Sequence, residues 1–167
     1  MKLREHEKGF TLIEVLMALV LLSTALVPTF VLAGDALKLS ERIKNSLIAA
    51  NLAQEGVEVV RALRDSNWFS DQPFDTGLTA CTVQCTVQYD SGALIIGTYD
   101  GVPLKLDAAT DLYQYDTGTA TAFQRKIIVT SVSATQLKVE SIVSWRERGI
   151  AAEKSLTVEY FLFDWAQ

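Results

Sequence analysis

The chain has 167 residues, which is enough for one ordinary domain with an appendage and too few for two full domains. Hydrophobic residues make up 49% and charged residues 21%, so a wholly disordered chain is excluded. The net charge of −5 argues against a general nucleic-acid binder. The single histidine, His6, lies in an N-terminal segment that we expect to be removed. Catalytic triads with histidine and His-ligated metal sites are therefore excluded from the remaining chain.

The first element is a continuous apolar run over residues 10–33, which holds one charged residue, Glu14. As a helix, its roughly 24 residues would rise about 36 Å, more than the roughly 30 Å of a bilayer core. The alternative is a secretory signal peptide cleaved after Ala33. The apolar part of such a peptide usually has about 7–15 residues and no carboxylate. We therefore expect residues 10–33 to form a membrane-spanning helix.

Glu14 needs an explanation, because a carboxylate in an apolar span costs about 2–4 kcal/mol. One interpretation is that Glu14 lies near the helix end and extends its carboxylate to the membrane interface. Another is a cut between Gly9 and Phe10, which would create a new amino group about one helical turn from Glu14. The amino terminus of a neighbouring subunit would then neutralise the carboxylate. Spacing alone leaves both interpretations open.

The stretch from Lys8 to Glu14, KGFTLIE, together with the apolar run behind it, resembles the leader junction of type IV prepilins. This junction, the class III signal, is found in pilins and pseudopilins. The resemblance implies a leader peptide over residues 1–9 and a cut after Gly9 by a membrane-embedded aspartyl prepilin peptidase. It also implies N-methylation of Phe10 by the same enzyme and a role for Glu14 in docking the subunit into a filament. The motif covers only residues 8–33.

The resemblance also implies partners and a location. The partners are the prepilin peptidase and methyltransferase, other pilin-like subunits and an inner-membrane assembly platform. Basic residues do not settle the topology, because three precede the apolar run and three follow it closely: Lys2, Arg4, Lys8, Lys38, Arg42 and Lys44. It is the resemblance that places the leader in the cytoplasm and the C-terminal domain outside, on a single-pass membrane protein that later joins a cell-surface filament.

The helical pattern continues through residues 34–67 as an amphipathic segment. Its apolar residues recur at steps of three and four, which predicts a one-sided stripe that packs on a globular head: Leu39, Ile43, Leu47, Ala50, Ala53, Val57 and Val60. The polar run from Arg64 to Asn67 predicts the helix end. Pro28 removes one backbone hydrogen bond, so we expect a kink there, with further weakening at Gly34.

Residues 68–167 change to a period of two and predict a β-rich head domain. The expected strands are Thr82–Tyr89, Ala93–Ile96, Ala122–Val132, Gln136–Trp145 and Lys154–Phe163. Short turns should join the last three strands as an antiparallel meander, on which the helix buries its stripe. The predicted fold class is therefore α+β, with a long kinked N-terminal helix on a small antiparallel sheet. This arrangement fits the pilin fold.

Cys81 and Cys85 are the only cysteines. In an extended strand their Cα atoms would be about 13 Å apart, too far for a disulfide, so a bridge requires a turn between them. We expect the bridge, because a small external domain gains stability from it. Two free thiols, or a metal or redox role, are the alternatives. A bridge would shorten the first predicted strand.

The remaining candidates for chemistry are weak. Five aspartates do not follow a calcium-loop spacing, and Asp-rich loops are usually solvated turns: Asp90, Asp100, Asp107, Asp111 and Asp116. We expect Trp68, Trp145 and Trp165 to pack in the core or at its rim. The sequence shows no phosphate-binding loop, no nucleophile elbow and no carboxylate pair at a spacing that indicates catalysis. We therefore expect no enzyme activity, no cofactor, no metal and no direct nucleic-acid partner.

The segment over residues 51–68 and the C-terminal end resemble minor pilins of the PilV type or GspI-like pseudopilins. The chain lacks the paired cysteines near the C-terminus that bracket a surface loop in many major pilins. The resemblance therefore implies a minor structural subunit of a type IV pilus or of a type II secretion-like filament. Adhesion, motility, DNA uptake and secretion are equally open as roles of the filament. The alternative function is a single-pass, membrane-anchored extracellular binding domain that never polymerises.

Overall fold

The computed structural model describes residues 9–90, 93–147 and 152–165. The chain forms two compact units, Met1–Ile43 and Lys44–Gln167. A single α-helix, α1 (Leu12–Phe69), begins in the first unit and ends in the second. It ends slightly beyond the predicted Arg64–Asn67 stop, and both Pro28 and Gly34 lie inside it. The helical hydrogen-bonding pattern continues through both residues, and the bend at Pro28 stays a prediction.

The second unit holds a 3₁₀ turn at Leu78–Cys81 and two antiparallel sheets. In the described part of the chain the strands are β1 (Cys85–Asp90), β2 (Ala93–Thr98), β3 (Lys105–Leu106), β4 (Tyr113–Gln114), β5 (Thr119–Ala120), β6 (Phe123–Ser133), β7 (Gln136–Arg146) and β8 (Glu153–Phe163). The larger sheet has the order β2-β1-β6-β7-β8, and the smaller has the order β4-β3-β5. The α+β fold class is therefore confirmed.

The predicted meander is β6, β7 and β8, whose bounds lie within one residue of those expected. Strand β7 pairs along its length with both neighbours. For example, Trp145 of β7 lies opposite Phe123 of β6, and Gln136 of β7 lies opposite Phe163 of β8. The first predicted strand, Thr82–Tyr89, was wrong at its start, because the chain turns after Cys81 and β1 begins only at Cys85. The two-residue strands β3, β4 and β5 were not predicted.

The core of the second unit lies between the C-terminal part of α1 and one face of the larger sheet. Its helix side is made of alanine, valine and leucine residues: Ala49, Leu52, Ala53, Val57, Val59 and Val60. The sheet side alternates over residues 123–129 of β6 and 136–145 of β7, where every second residue is buried and its neighbours are half-buried. The predicted stripe was too long, because Leu39, Ile43 and Leu47 are each more than half exposed.

Gly56 lies at a close approach between the helix and the sheet. A Cβ atom at this position would lie 2.6 Å from Ser141 Oγ and 2.9 Å from Ile127 Cδ1. Both of those residues are fully buried and have no room to move away. Glycine is therefore required here for its small size, inside a helix that would otherwise favour alanine.

Candidate processing and assembly site

The predicted cleavage junction lies immediately before α1. Gly9 and Phe10 are both exposed, and the ring of Phe10 is 82% accessible. A Cβ atom at Gly9 would meet nothing within 4 Å, so the described residues leave this peptide bond sterically open. Lys8 and the rest of the predicted leader, including His6, lie outside the described residues. The junction therefore has the accessibility that an enzyme acting on it requires.

Thr11 and Glu14 form the start of the helix. The Glu14 backbone N–H donates to Thr11 Oγ1 at 3.3 Å, and the Val15 N–H donates to the Thr11 carbonyl at 3.2 Å. Thr11 is thus the N-cap and Glu14 the third helical residue, the spacing of a capping box. An acidic residue in the first turn also interacts favourably with the helix dipole. Glu14 consequently has a local structural role that the sequence interpretation did not include.

The Glu14 carboxylate is exposed, and within the described residues it has no ion-pair partner. It is also the only charged side chain between Phe10 and Ala33. The apolar residues around it are exposed as well, for example Leu12 at 80% and Ile13 at 64%. The single chain therefore leaves both the charge and its apolar surroundings available for contacts outside this chain.

The first part of α1 is long and apolar enough to cross a membrane, and none of its most apolar stretch is buried. Its hydroxyl groups are bonded to the helix itself. Ser23 Oγ donates to the Val20 carbonyl at 2.9 Å, and Thr24 Oγ1 donates to the Leu21 carbonyl at the same distance. Such internal bonds let hydroxyl side chains face an apolar environment without an unpaired donor.

In the second unit, a disulfide joins Cys81 and Cys85, whose Cα atoms are 5.1 Å apart. The turn that the bridge requires is the 3₁₀ turn and the three residues after it. Both cysteines are buried next to Leu78 and Val87 in the core. The arrangement leaves no thiol at this position for redox or metal chemistry.

The three tryptophans have different surroundings. Trp145 is buried in the core, whereas Trp68 is half-buried and Trp165 is 70% exposed. Trp68 and Trp165 contact each other edge to face, with ring centroids 4.6 Å apart. Of the aspartates considered for calcium, Asp107 and Asp100 accept hydrogen bonds from backbone N–H groups two residues ahead, as turn residues do.

Sequence reasoning missed Arg125, which is fully buried on β6. Its Nη1 donates to the Leu52 carbonyl and to Glu55 Oε1, both at 3.0 Å, and its Nη2 donates to the Val87 carbonyl at 2.8 Å. The guanidinium thus links α1 to two strands. The alternation of β6 could have revealed it, because Arg125 is in phase with the inward-facing Phe123 and Ile127.

Comparison with known proteins identifies one feature of the chain. Residues 4–30 match the family model described as the prokaryotic N-terminal methylation motif. No curated protein and no solved structure matches the chain. The motif marks structural proteins of the pilin type and not a known enzyme family. The match covers the predicted leader junction and most of the apolar run, and it supports a prepilin-type N-terminus that a prepilin peptidase would process.

Proposed function

We propose that this chain is a minor pilin or pseudopilin, a low-abundance structural subunit of a type IV pilus or a type II secretion-like filament. The coincidence of three features carries the proposal. The methylation motif spans residues 4–30, the junction Gly9–Phe10 is exposed next to the helix start, and a long apolar helix follows. The resemblance of residues 51–68 to minor pilins favours a minor over a major subunit.

In this proposal the prepilin peptidase cuts after Gly9 and methylates the new amino group of Phe10. The helix over residues 10–33 anchors the subunit in the cytoplasmic membrane, with the second unit outside. The subunit then passes through the assembly platform into a filament whose core is formed by packed apolar helices. Glu14 pairs there with the amino terminus of a neighbouring subunit, because an unpaired carboxylate between apolar helices is costly.

The first experiment determines the N-terminus and intact mass of the chain from membrane and sheared-surface fractions. The proposal expects a chain that starts at Phe10, carries one added methyl group and is present in the sheared fraction. A chain that starts at Met1 would indicate an uncut anchor that does not polymerise. A chain that starts near Gly34 would indicate a secreted domain, and either start would contradict the proposal.

The two roles of Glu14 are separated by the variants Glu14→Gln and Glu14→Ala. Glutamine keeps the capping-box spacing but removes the charge, whereas alanine removes both. If charge pairing drives assembly, both variants stay in the membrane fraction. The amount of each variant in the sheared-surface fraction should also fall at least about tenfold, since a loss of about 1.4 kcal/mol in assembly free energy changes the equilibrium about tenfold. The control Glu41→Gln, on the exposed part of the same helix, should assemble normally. Normal assembly of Glu14→Gln would show that Glu14 acts only as a helix cap.

A further inference from the structure

The last strand of the larger sheet has a free edge. Within the described residues β8 pairs with β7 alone, and the register between them has no shift. A free edge exposes unpaired backbone N–H and C=O groups that can bind another strand. Proteins usually protect such an edge with charges, proline or a bulge. The first part of β8 carries Glu153, Lys154 and Glu159, but Tyr160–Phe163 has neither charge nor proline.

A groove lies between this unprotected half of β8 and the last two turns of α1, within the second unit. It has a volume of about 530 Å³, and six aromatic residues line it: Trp68, Phe69, Tyr160, Phe161, Phe163 and Trp165. Several of them are strongly exposed, up to 92% for Phe69. Exposed aromatic clusters of this kind mark interaction sites, and tryptophan, tyrosine and arginine are typical of the residues that dominate binding.

Two arginines on α1 complete the wall of the groove. Arg64 is fixed, because it donates Nε and Nη2 to Asp65 Oδ1 at 2.9 and 2.8 Å and its guanidinium lies 4.5 Å from the Trp68 ring centroid. Arg61 is different. Its side chain is 46% exposed, and its one ion pair in the described part of the chain is a 3.6 Å contact to Glu58, which is 66% exposed. Arg61 therefore has donors available for a carboxylate from outside.

We propose that the groove, Arg61 included, binds an extended segment of a different pilin-like subunit, which adds to the free edge of β8 as a sixth strand. An apolar side chain of that segment lies among the aromatic residues, and a carboxylate beside it pairs with Arg61. The identity of the partner rests on the proposed function. The backbone groups of β8 select an extended strand, since only a strand satisfies a row of edge donors and acceptors.

Charge complementarity favours a different chain over a second copy of this one. In a two-fold pairing each Arg61 would need a carboxylate from the groove of the other copy. The carboxylate that lines the groove is Asp65, and Arg64 already holds it through two hydrogen bonds. A segment with its own aspartate or glutamate meets no such competition, and its carboxylate can pair with Arg61.

The test places the photo-cross-linking residue p-benzoylphenylalanine at Phe163 in the full chain, produced in cells that carry the filament system. The control places it at Leu112, which is similarly exposed but lies outside the groove. After irradiation, mass spectrometry identifies the linked peptide. We expect a link from position 163, but not 112, to another protein with a prepilin-type N-terminus, in a segment with a carboxylate next to an apolar residue. Arg61→Glu should lower the yield of that link about tenfold, and Arg146→Glu should not.

A link to a second copy, to a protein without that N-terminus, or only within the same chain overturns the proposal. The proposal is also overturned if Arg61→Glu leaves the yield of the cross-link from position 163 unchanged. The N-terminus and mass of the chain are measured in the same samples. A chain that starts at methylated Phe10 and is present in the sheared fraction, but gives no link, refutes the groove proposal alone. A chain that starts at Met1 refutes the proposed function and the groove proposal with it.

Discussion

Replacing Arg125 by methionine tests what holds α1 on the sheet. Methionine is unbranched and fills the space of the aliphatic part of the arginine side chain, but it donates no hydrogen bond. Within the described residues β1 pairs with β6 only at Cys85↔Ile127, so the bond from Arg125 to the Val87 carbonyl is the next link between these strands. The same guanidinium reaches the helix at Leu52 and Glu55. The substitution therefore removes the contacts from β6 to two other elements, α1 and β1, at once.

The expected loss of stability is about 3 kcal/mol, summed from unequal contributions. Leaving the Val87 carbonyl without its donor costs about 2 kcal/mol, within the usual range for a buried group that lacks a hydrogen-bond partner. The Leu52 carbonyl keeps its bond inside α1, so the lost guanidinium bond costs only about 1 kcal/mol. Glu55 is 46% exposed and returns to water, which costs well under 1 kcal/mol. The substitution also removes the buried Arg125 Nε, which has no hydrogen-bond partner. Removing this unpaired group is stabilising and offsets part of the loss.

The measurement is urea unfolding of the full chain in detergent, followed by tryptophan fluorescence, because all three tryptophans lie in the second unit. The control Arg61→Met removes a half-exposed arginine and should change the unfolding free energy by less than about 0.5 kcal/mol. A double-mutant cycle with Glu55→Gln should give a coupling of about 1 kcal/mol. If Arg125→Met loses less than about 1 kcal/mol, the guanidinium is not the link that we describe.

Three further predictions use the same unfolding assay. Gly56→Ala should destabilise the second unit by about 1–2 kcal/mol, because overpacking against Ser141 exceeds the gain in helix propensity. The control is Gly34→Ala, since Gly34 has open space around it. A Gly56→Ala variant more stable than the original chain would contradict the close approach. Replacing both Cys81 and Cys85 by serine should cost about 2 kcal/mol, as expected for a short closed loop, and an unfolding curve unaffected by reductant would refute a stabilising bridge. Burial raises the pKa of Tyr115 above its ordinary value of 10.0, so the unfolded chain ionises first and stability falls as pH rises above 10. Tyr115→Phe should be less stable at pH 8, since it loses the hydrogen bond to the Arg125 carbonyl. Its unfolding free energy should, however, fall less between pH 8 and 11 than that of the original chain. An equal fall in both proteins would show that Tyr115 is not the titrating group.

The long elements were predictable because each repeats one period over many residues. Strands β6, β7 and β8 have eleven residues each, their burial alternates over seven or more consecutive residues, and their predicted bounds differ by at most one residue. The two-residue strands carry no readable period. Strand β3, for example, exists because β4 and β5 pair with it on both sides. The late start of β1 has a similar origin, since a turn closed by a disulfide replaces three residues of apparent strand.

The candidate functional features also divide into those that the sequence could predict and those that only the fold reveals. The junction at Gly9 and Phe10 is readable because a processing enzyme recognises a linear sequence, and the family model matches that same stretch. The groove cannot be read in this way, since its aromatic walls come from α1 and from β8, nearly a hundred residues apart. Arg125 is an intermediate case. Its phase in β6 marks it as inward-facing, but only the fold shows the acceptors that make a buried guanidinium tolerable.

The exposed stripe on α1 distinguishes a polymerising subunit from a simple membrane anchor. A bilayer covers about 20 helical residues, so a span that begins at Leu12 ends near Val31. Leu39 lies roughly 12 Å further along the helix, followed on the same side by Ile43 and Leu47. All three are 56–61% exposed. An anchor gains nothing from apolar residues in water, whereas a filament covers them with the helices of neighbouring subunits. Under the proposed function the same neighbours would also neutralise Glu14 within the apolar run, whereas lipid alone explains neither feature.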